Sequence, residues 1–147
     1  MKRFICFLTF GTLLISANVF ASILTVGCDN FNGPALYYKD GKLEVQNDGY
    51  KNTTWTFIID SDHPSEVTYL NRGQYVGSIS HKTKVIFHNE YQITLLEILP
   101  KAVWLYSIYP EQELAYMTVH KPGTLGRGEA ASANTSFSKC SFTKDIL

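Results

Sequence analysis

Residues 83–109 read TKVIFHNEYQITLLEILPKAVWLYSIY, and this stretch decides the fold class. Three runs rich in β-branched and aromatic residues, 83–88, 91–98 and 102–109, are separated by His88-Asn89-Glu90 and by Pro100-Lys101. Such runs, too short for helices and bounded by turn residues, are strands joined by tight turns. In 102–109 both faces are apolar, Val103 and Leu105 on one and Trp104, Tyr106 and Ile108 on the other. That composition predicts a central strand or one covered on both sides. In 83–88, Val85 and Phe87 share a face, and Lys84, Ile86 and His88 share the opposite one.

The same grammar extends outward. Further strands are expected at 23–26, 35–39, 42–46, 53–60, 66–71, 74–80, 114–120 and 135–142, with Asn47-Asp48-Gly49 and Arg72-Gly73 read as turns. Asp40-Gly41 between Tyr38 and Leu43 is a two-residue hairpin signal, because the left-handed backbone of such a turn suits Asp-Gly. No window outside the N-terminus carries a helical apolar stripe. The fold expected is all-β: one domain, 22–147, built as an antiparallel meander closed into a small barrel or folded into a sandwich. Residues 121–136 contain Gly123, Gly126, Gly128, Ala130, Ala131 and Ala133 and are read as a flexible surface loop.

The N-terminus is of a different kind. Lys2 and Arg3 precede an apolar run from Phe4 to Ala17, and Val19-Phe20-Ala21 offers small residues for cleavage. This is the three-part pattern of a secretory signal peptide over 1–21, and the run is short for a membrane span. A secreted or periplasmic location follows as the expectation, with no stable membrane insertion after cleavage. Cys6 leaves with the signal, so Cys28 and Cys140 remain as a pair near the two ends of the domain. In an oxidising compartment they are expected to form one disulfide. The competing reading treats Gly27-Cys28 as a lipoprotein site with Cys28 acylated.

The chain of 147 residues carries 13 Lys+Arg and 13 Asp+Glu, so no basic face points to nucleic acid. His63, His81, His88 and His120 show no HxH, HxxxH or HExxH spacing, so neither a metal nor a cofactor is expected. There is no GxSxG elbow, and the expected disulfide uses both remaining cysteines. What stands out is aromatic content, 14% with nine tyrosines. Trp104, Tyr106, Tyr109 and Tyr116 are the candidate binding residues, because aromatic side chains bring large contact area with a polar handle. Tyr106 and Tyr109 fall on opposite faces, so at most one of them belongs to the core. The function expected is a non-enzymatic exported binding protein. It would act as an inhibitor or neutraliser of another protein, or as a barrel holding a small apolar or sugar ligand. The alternative is a small secreted hydrolase using dispersed His and Glu residues such as His88 with Glu90.

Overall fold

The structure, a computed structural model, describes residues 22–39, 41–60, 65–73, 77–123 and 131–146. The signal-peptide expectation over 1–21, and His63, lie outside the described residues. Ten strands follow in chain order: β1 (Ser22–Asp29), β2 (Asn32–Lys39), β3 (Lys42–Gly49), β4 (Thr53–Asp60), β5 (Glu66–Gly73), β6 (Gly77–His88), β7 (Ile93–Leu99), β8 (Ala102–Tyr109), β9 (Leu114–Lys121) and β10 (Ala131–Ile146). A single 3-10 turn, Pro110–Gln112, joins β8 to β9.

All pairings are antiparallel. The order β1-β4-β5-β6-β7-β8-β9-β10 closes when β10 returns to β1, giving an eight-stranded barrel rather than a sandwich. β10 is 16 residues long and serves two partners in succession. Its second half pairs with β1, from Cys28↔Cys140 to Ser22↔Ile146, and its first half pairs with β2. The β2–β3 hairpin therefore extends the sheet beyond the closed barrel. Its turn is the expected one: Lys39 pairs with Lys42, and Gly41 has a φ of 77°, which costs a residue with a side chain far more. Gly33 is needed for a different reason, since a Cβ there would run into the backbone of Thr135 and Ser136 where β2 crosses β10.

Alternation puts one face of each strand into the barrel. Val26 and Cys28, Trp55, Phe57 and Ile59, Val67 and Tyr69, Ile93 and Leu95, Tyr106 and Ile108, and Ala115, Met117 and Val119 form the core. Arg72, Lys82, Lys84 and Lys139 are exposed, Lys139 between buried Ser138 and Cys140. Among the described residues no helix is long and apolar enough to cross a membrane. The disulfide joins Cys28 to Cys140, so β1 and β10 are bonded covalently at the barrel's closing seam. With its sulfur in that bond, Cys28 has none to offer a lipid thioether.

Five expectations need correction. The loop expected at 121–136 is shorter at both ends: Lys121 ends β9 and Ala131–Ser136 belong to β10, while 124–130 lie outside the described residues. Small residues read as loop because they bury little; here they let β10 run between β2 and β9. The two strands expected at 74–80 and 83–88 are joined, since β6 runs from Gly77 through His81 to His88, and 74–76 lie outside the described residues. Asn47-Asp48-Gly49 continues β3 instead of turning. The alternation in β6 breaks at an irregularity between Val85 and Phe87, which turns Phe87 outward beside Ile86. β8 is a barrel strand with its inward face buried, yet Val103 on its outer face is exposed.

Candidate functional site

Five of the aromatic rings, Phe31, Trp55, Phe57, Tyr69 and Tyr106, are buried in the barrel. Phe31 meets Trp55 edge-on at 5.1 Å, and Tyr50 meets Trp55 edge-on at 5.2 Å. Tyr50 also lies 6.0 Å from Trp104, which stacks over Tyr106 at 6.3 Å. Tyr106 in turn packs on Phe57 and Tyr69 at 5.2 and 5.5 Å. A column of rings thus runs from Tyr50 and Trp104 down into the barrel, each contact worth roughly 0.5–1.5 kcal/mol beyond the area it buries.

The upper end of the column opens into a cavity of about 870 Å³. Trp104, Tyr50 and Val119 line its inner side, and Leu99, Pro100 and Ala102 of the β7–β8 turn line one flank. The β2–β3 hairpin supplies the other flank through Tyr37 and Asp48. The hairpin is tied down there: the Tyr37 hydroxyl donates to Asp48 Oδ2 at 2.7 Å, and the Gly49 N–H donates to Oδ1 at 2.7 Å. Asn134, buried on β10, donates to Asp48 Oδ2 at 3.4 Å, and its own Oδ1 accepts from Ser136. Lys101 and Lys121 stand at the rim, Lys121 Nζ 5.9 Å from the centre of the Trp104 ring. The indole N–H of Trp104 is buried with no acceptor among the described residues.

Charge and burial act on the tyrosines of this end. The hydrogen bond to Asp48 raises the Tyr37 phenol above its ordinary value, and burial and the Asp48 charge add to it. Burial first, then the charge of Asp48 and the neighbouring Tyr37, push Tyr50 up to about 12. A phenol raised in the fold contributes stability fully below the unfolded value and loses it as pH climbs. For Tyr50 that loss spans about 10 to about 12. Tyrosinate absorbance and circular dichroism recorded together through this range are expected to change in step for the buried phenols. Complete ionisation of a still-folded barrel would contradict the burial of Tyr50.

A second polar cluster lies deeper. Glu97 is buried, and its Oε2 accepts from the Tyr69 hydroxyl at 2.7 Å while its Oε1 lies 2.8 Å from His81 Nδ1. The Tyr106 hydroxyl donates to that of Tyr69 at 3.2 Å, and the His81 ring lies flat on Tyr69 with centres 4.7 Å apart. Burial raises both phenols above their ordinary value. This is a His–carboxylate contact that sequence reasoning missed. Its signal was available: Glu97 is in phase with Ile93 and Leu95, so the same alternation that buries them points a carboxylate inward. None of its four members lines the mouth cavity.

The four candidate binding residues separate. Trp104 lines the mouth. Tyr106 is fully buried in the column, and Tyr109 is the half-buried one of that pair. Tyr109 and Tyr116 meet edge-on at 5.9 Å on the outer face of the sheet, with Phe137 6.5 Å from Tyr116. This outer cluster sits near the 3-10 turn, at the opposite end of β8 and β9 from the mouth. His88 and Glu90 are exposed beside a turn organised by Asn89, whose Oδ1 accepts the N–H groups of Tyr91 and Gln92. Among the described residues no three His, Cys, Asp or Glu side chains gather as a metal site. Compared with protein-family models, with curated proteins and with solved structures, the chain matches none.

Proposed function

We propose that this chain is an exported, non-enzymatic binding protein whose ligand seats in the mouth cavity. The ligand class is a small molecule with a flat apolar body and an acceptor-bearing end. One observation carries the reading: a cavity of about 870 Å³ opens onto a ring column, within the usual size of small-molecule sites. The body of the ligand stacks on Tyr50 and Trp104, and its polar end meets Lys101 and Lys121. The acceptors of Asp48 are already used by Tyr37, Gly49 and Asn134, which favours a ligand that accepts over one that donates. Export is supported by the signal pattern over 1–21 and by the disulfide. The hydrolase alternative finds less support, since His88 and Glu90 lie exposed at a turn and the His81–Glu97 pair is away from the cavity.

Titration with the fluorescent probes anilinonaphthalenesulfonate and neutral aminoanthracene tests this. Both are expected to bind the native protein, and Trp104→Ala is expected to weaken both about tenfold or more, as loss of an aromatic anchor does. Lys121→Ala is expected to weaken only the sulfonate. Tyr116→Ala, on the outer cluster, is expected to change neither. Absence of binding to the native protein, or unchanged affinity when Ala102→Trp fills the mouth, would contradict the proposal.

A further inference from the structure

β3 is the free edge of the sheet: it pairs with β2 on one side, and all its residues from Lys42 to Asp48 are exposed. It holds no proline and runs eight residues in register with β2. Exposed edges of this length template pairing with another strand unless they are blunted. The side chains of β3 alternate in a telling way. Glu44, Gln46 and Asp48 share a face, Gln46 donating to Glu44 at 3.2 Å, and Asp48 places that face on the cavity side. Lys42 belongs to the same face by parity. Leu43 and Val45, 66% and 68% exposed, point to the outer side with Leu36 and Tyr38 of β2.

We infer that two copies of this chain pair edge to edge through β3, antiparallel, on a two-fold axis at Val45. Charge selects the occupant and the register. With the axis at Val45, Lys42 of each copy faces Asp48 of the other, Glu44 faces Gln46, and Val45 faces Val45. Moving the axis to Glu44 sets Glu44 against Glu44. Moving it to Gln46 sets Glu44 against Asp48. An axis at Leu43 overlaps only residues 42–44 of the strand. Like charges directly opposite are destabilising in a ladder and opposite charges stabilising, so the Val45 register alone joins full overlap to complementary charge. A two-fold contact must be self-complementary, and an edge carrying a cation at one end and an anion at the other meets that condition. The pairing also sets the outer stripes of Leu43 and Val45 side by side.

The arrangement has a consequence for the cavity. Asp48 lies at the cavity flank, so the partner's Lys42 stands at the rim of the mouth. Each copy thereby lends a cation to the other's site. The pairing itself does not depend on what the cavity binds.

Sedimentation velocity across a concentration series tests the inference. The native protein is expected to sediment as a dimer. Lys42→Asp, which opposes two carboxylates at both ends of the ladder, is expected to weaken association at least tenfold. Val45→Lys, which puts two ammonium groups on the axis, is expected to do the same. Both positions are exposed, so circular dichroism and melting temperature should stay native. With the axis at Val45 each residue 45 faces its own copy, so mixing Val45→Lys with Val45→Glu is expected to restore a mixed dimer, and failure to do so would overturn the Val45 register. A native protein that is monomeric at every concentration overturns the inference. So does a dimer indifferent to both Lys42→Asp and Val45→Lys.

Discussion

Replacing Cys28 and Cys140 together by alanine is expected to lower the melting temperature by roughly 10–20 °C while leaving a β-rich spectrum. The bond spans 112 residues of sequence, and the loop-entropy model gives roughly 4–5 kcal/mol for a closure of that length. Its position adds to the effect. β1 and β10 come from opposite ends of the chain, and their pairing is the step that converts an open meander into a barrel. Without the bond, the unfolded chain must bring those ends together at the full entropic cost. Both sulfurs are buried, so the alanine pair leaves a small void and no unsatisfied polar atom. Calorimetry of the native and double-alanine proteins, and of the native protein with and without reductant, measures the loss. A shift of only one or two degrees would show that the seam is held by its ladder alone. Free thiols titrating in the unreduced native protein would remove the disulfide altogether.

The second large effect is expected at Glu97. Glu97→Ala leaves the buried Tyr69 hydroxyl without its acceptor and the half-buried His81 Nδ1 without its partner. Each buried donor so orphaned costs about 1–3 kcal/mol, and the substitution is expected to cost about 2–4 kcal/mol in all. Glu97→Gln keeps an oxygen that accepts from Tyr69, so it is expected to lose less than half as much. Tyr69→Phe is expected to fall between them, because it removes one donor and strands the hydroxyl of Tyr106. Chemical denaturation of the three variants gives the order. Equal losses for Ala and Gln would mean that the cluster acts through its packing and not through its hydrogen bonds.

These two sites also mark how far the sequence could be read. The disulfide followed from expected compartment and count alone, since a chain expected to be exported and left with two cysteines has one pairing. The strands followed from β-branched and aromatic runs, and Asp40-Gly41 from the turn that Gly41 makes. What escaped depended on neighbours distant in sequence. His81-Lys82 looks like a break between two strands because both are polar. In the barrel His81 is stabilised by the Tyr69 ring and by Glu97, 16 residues away. Residues 131–136 look like loop because Ala, Ser and Asn bury little surface, yet Asn134, Ser136 and Ser138 are in phase with buried Cys140 and turn inward. A barrel and a sandwich share their strand pattern, and the difference lies in the β1–β10 pairing, which no local signal encodes. Trp104 was legible as a candidate because of its aromatic surroundings. Its partition from Tyr109 and Tyr116 depended on which end of the barrel is open.

The mouth cavity as the binding site is tested most directly by proton–nitrogen correlation NMR of the native protein titrated with anilinonaphthalenesulfonate. The chain has two tryptophans, so two indole N–H resonances report on two depths of the ring column. The Trp104 indole and the amides of Asp48, Lys101 and Ala102 are expected to shift together and saturate on one curve, with Trp55 nearly still. A Trp104 indole that does not move, or perturbations centred on Tyr116 and Phe137, would place binding on the outer face and contradict the cavity.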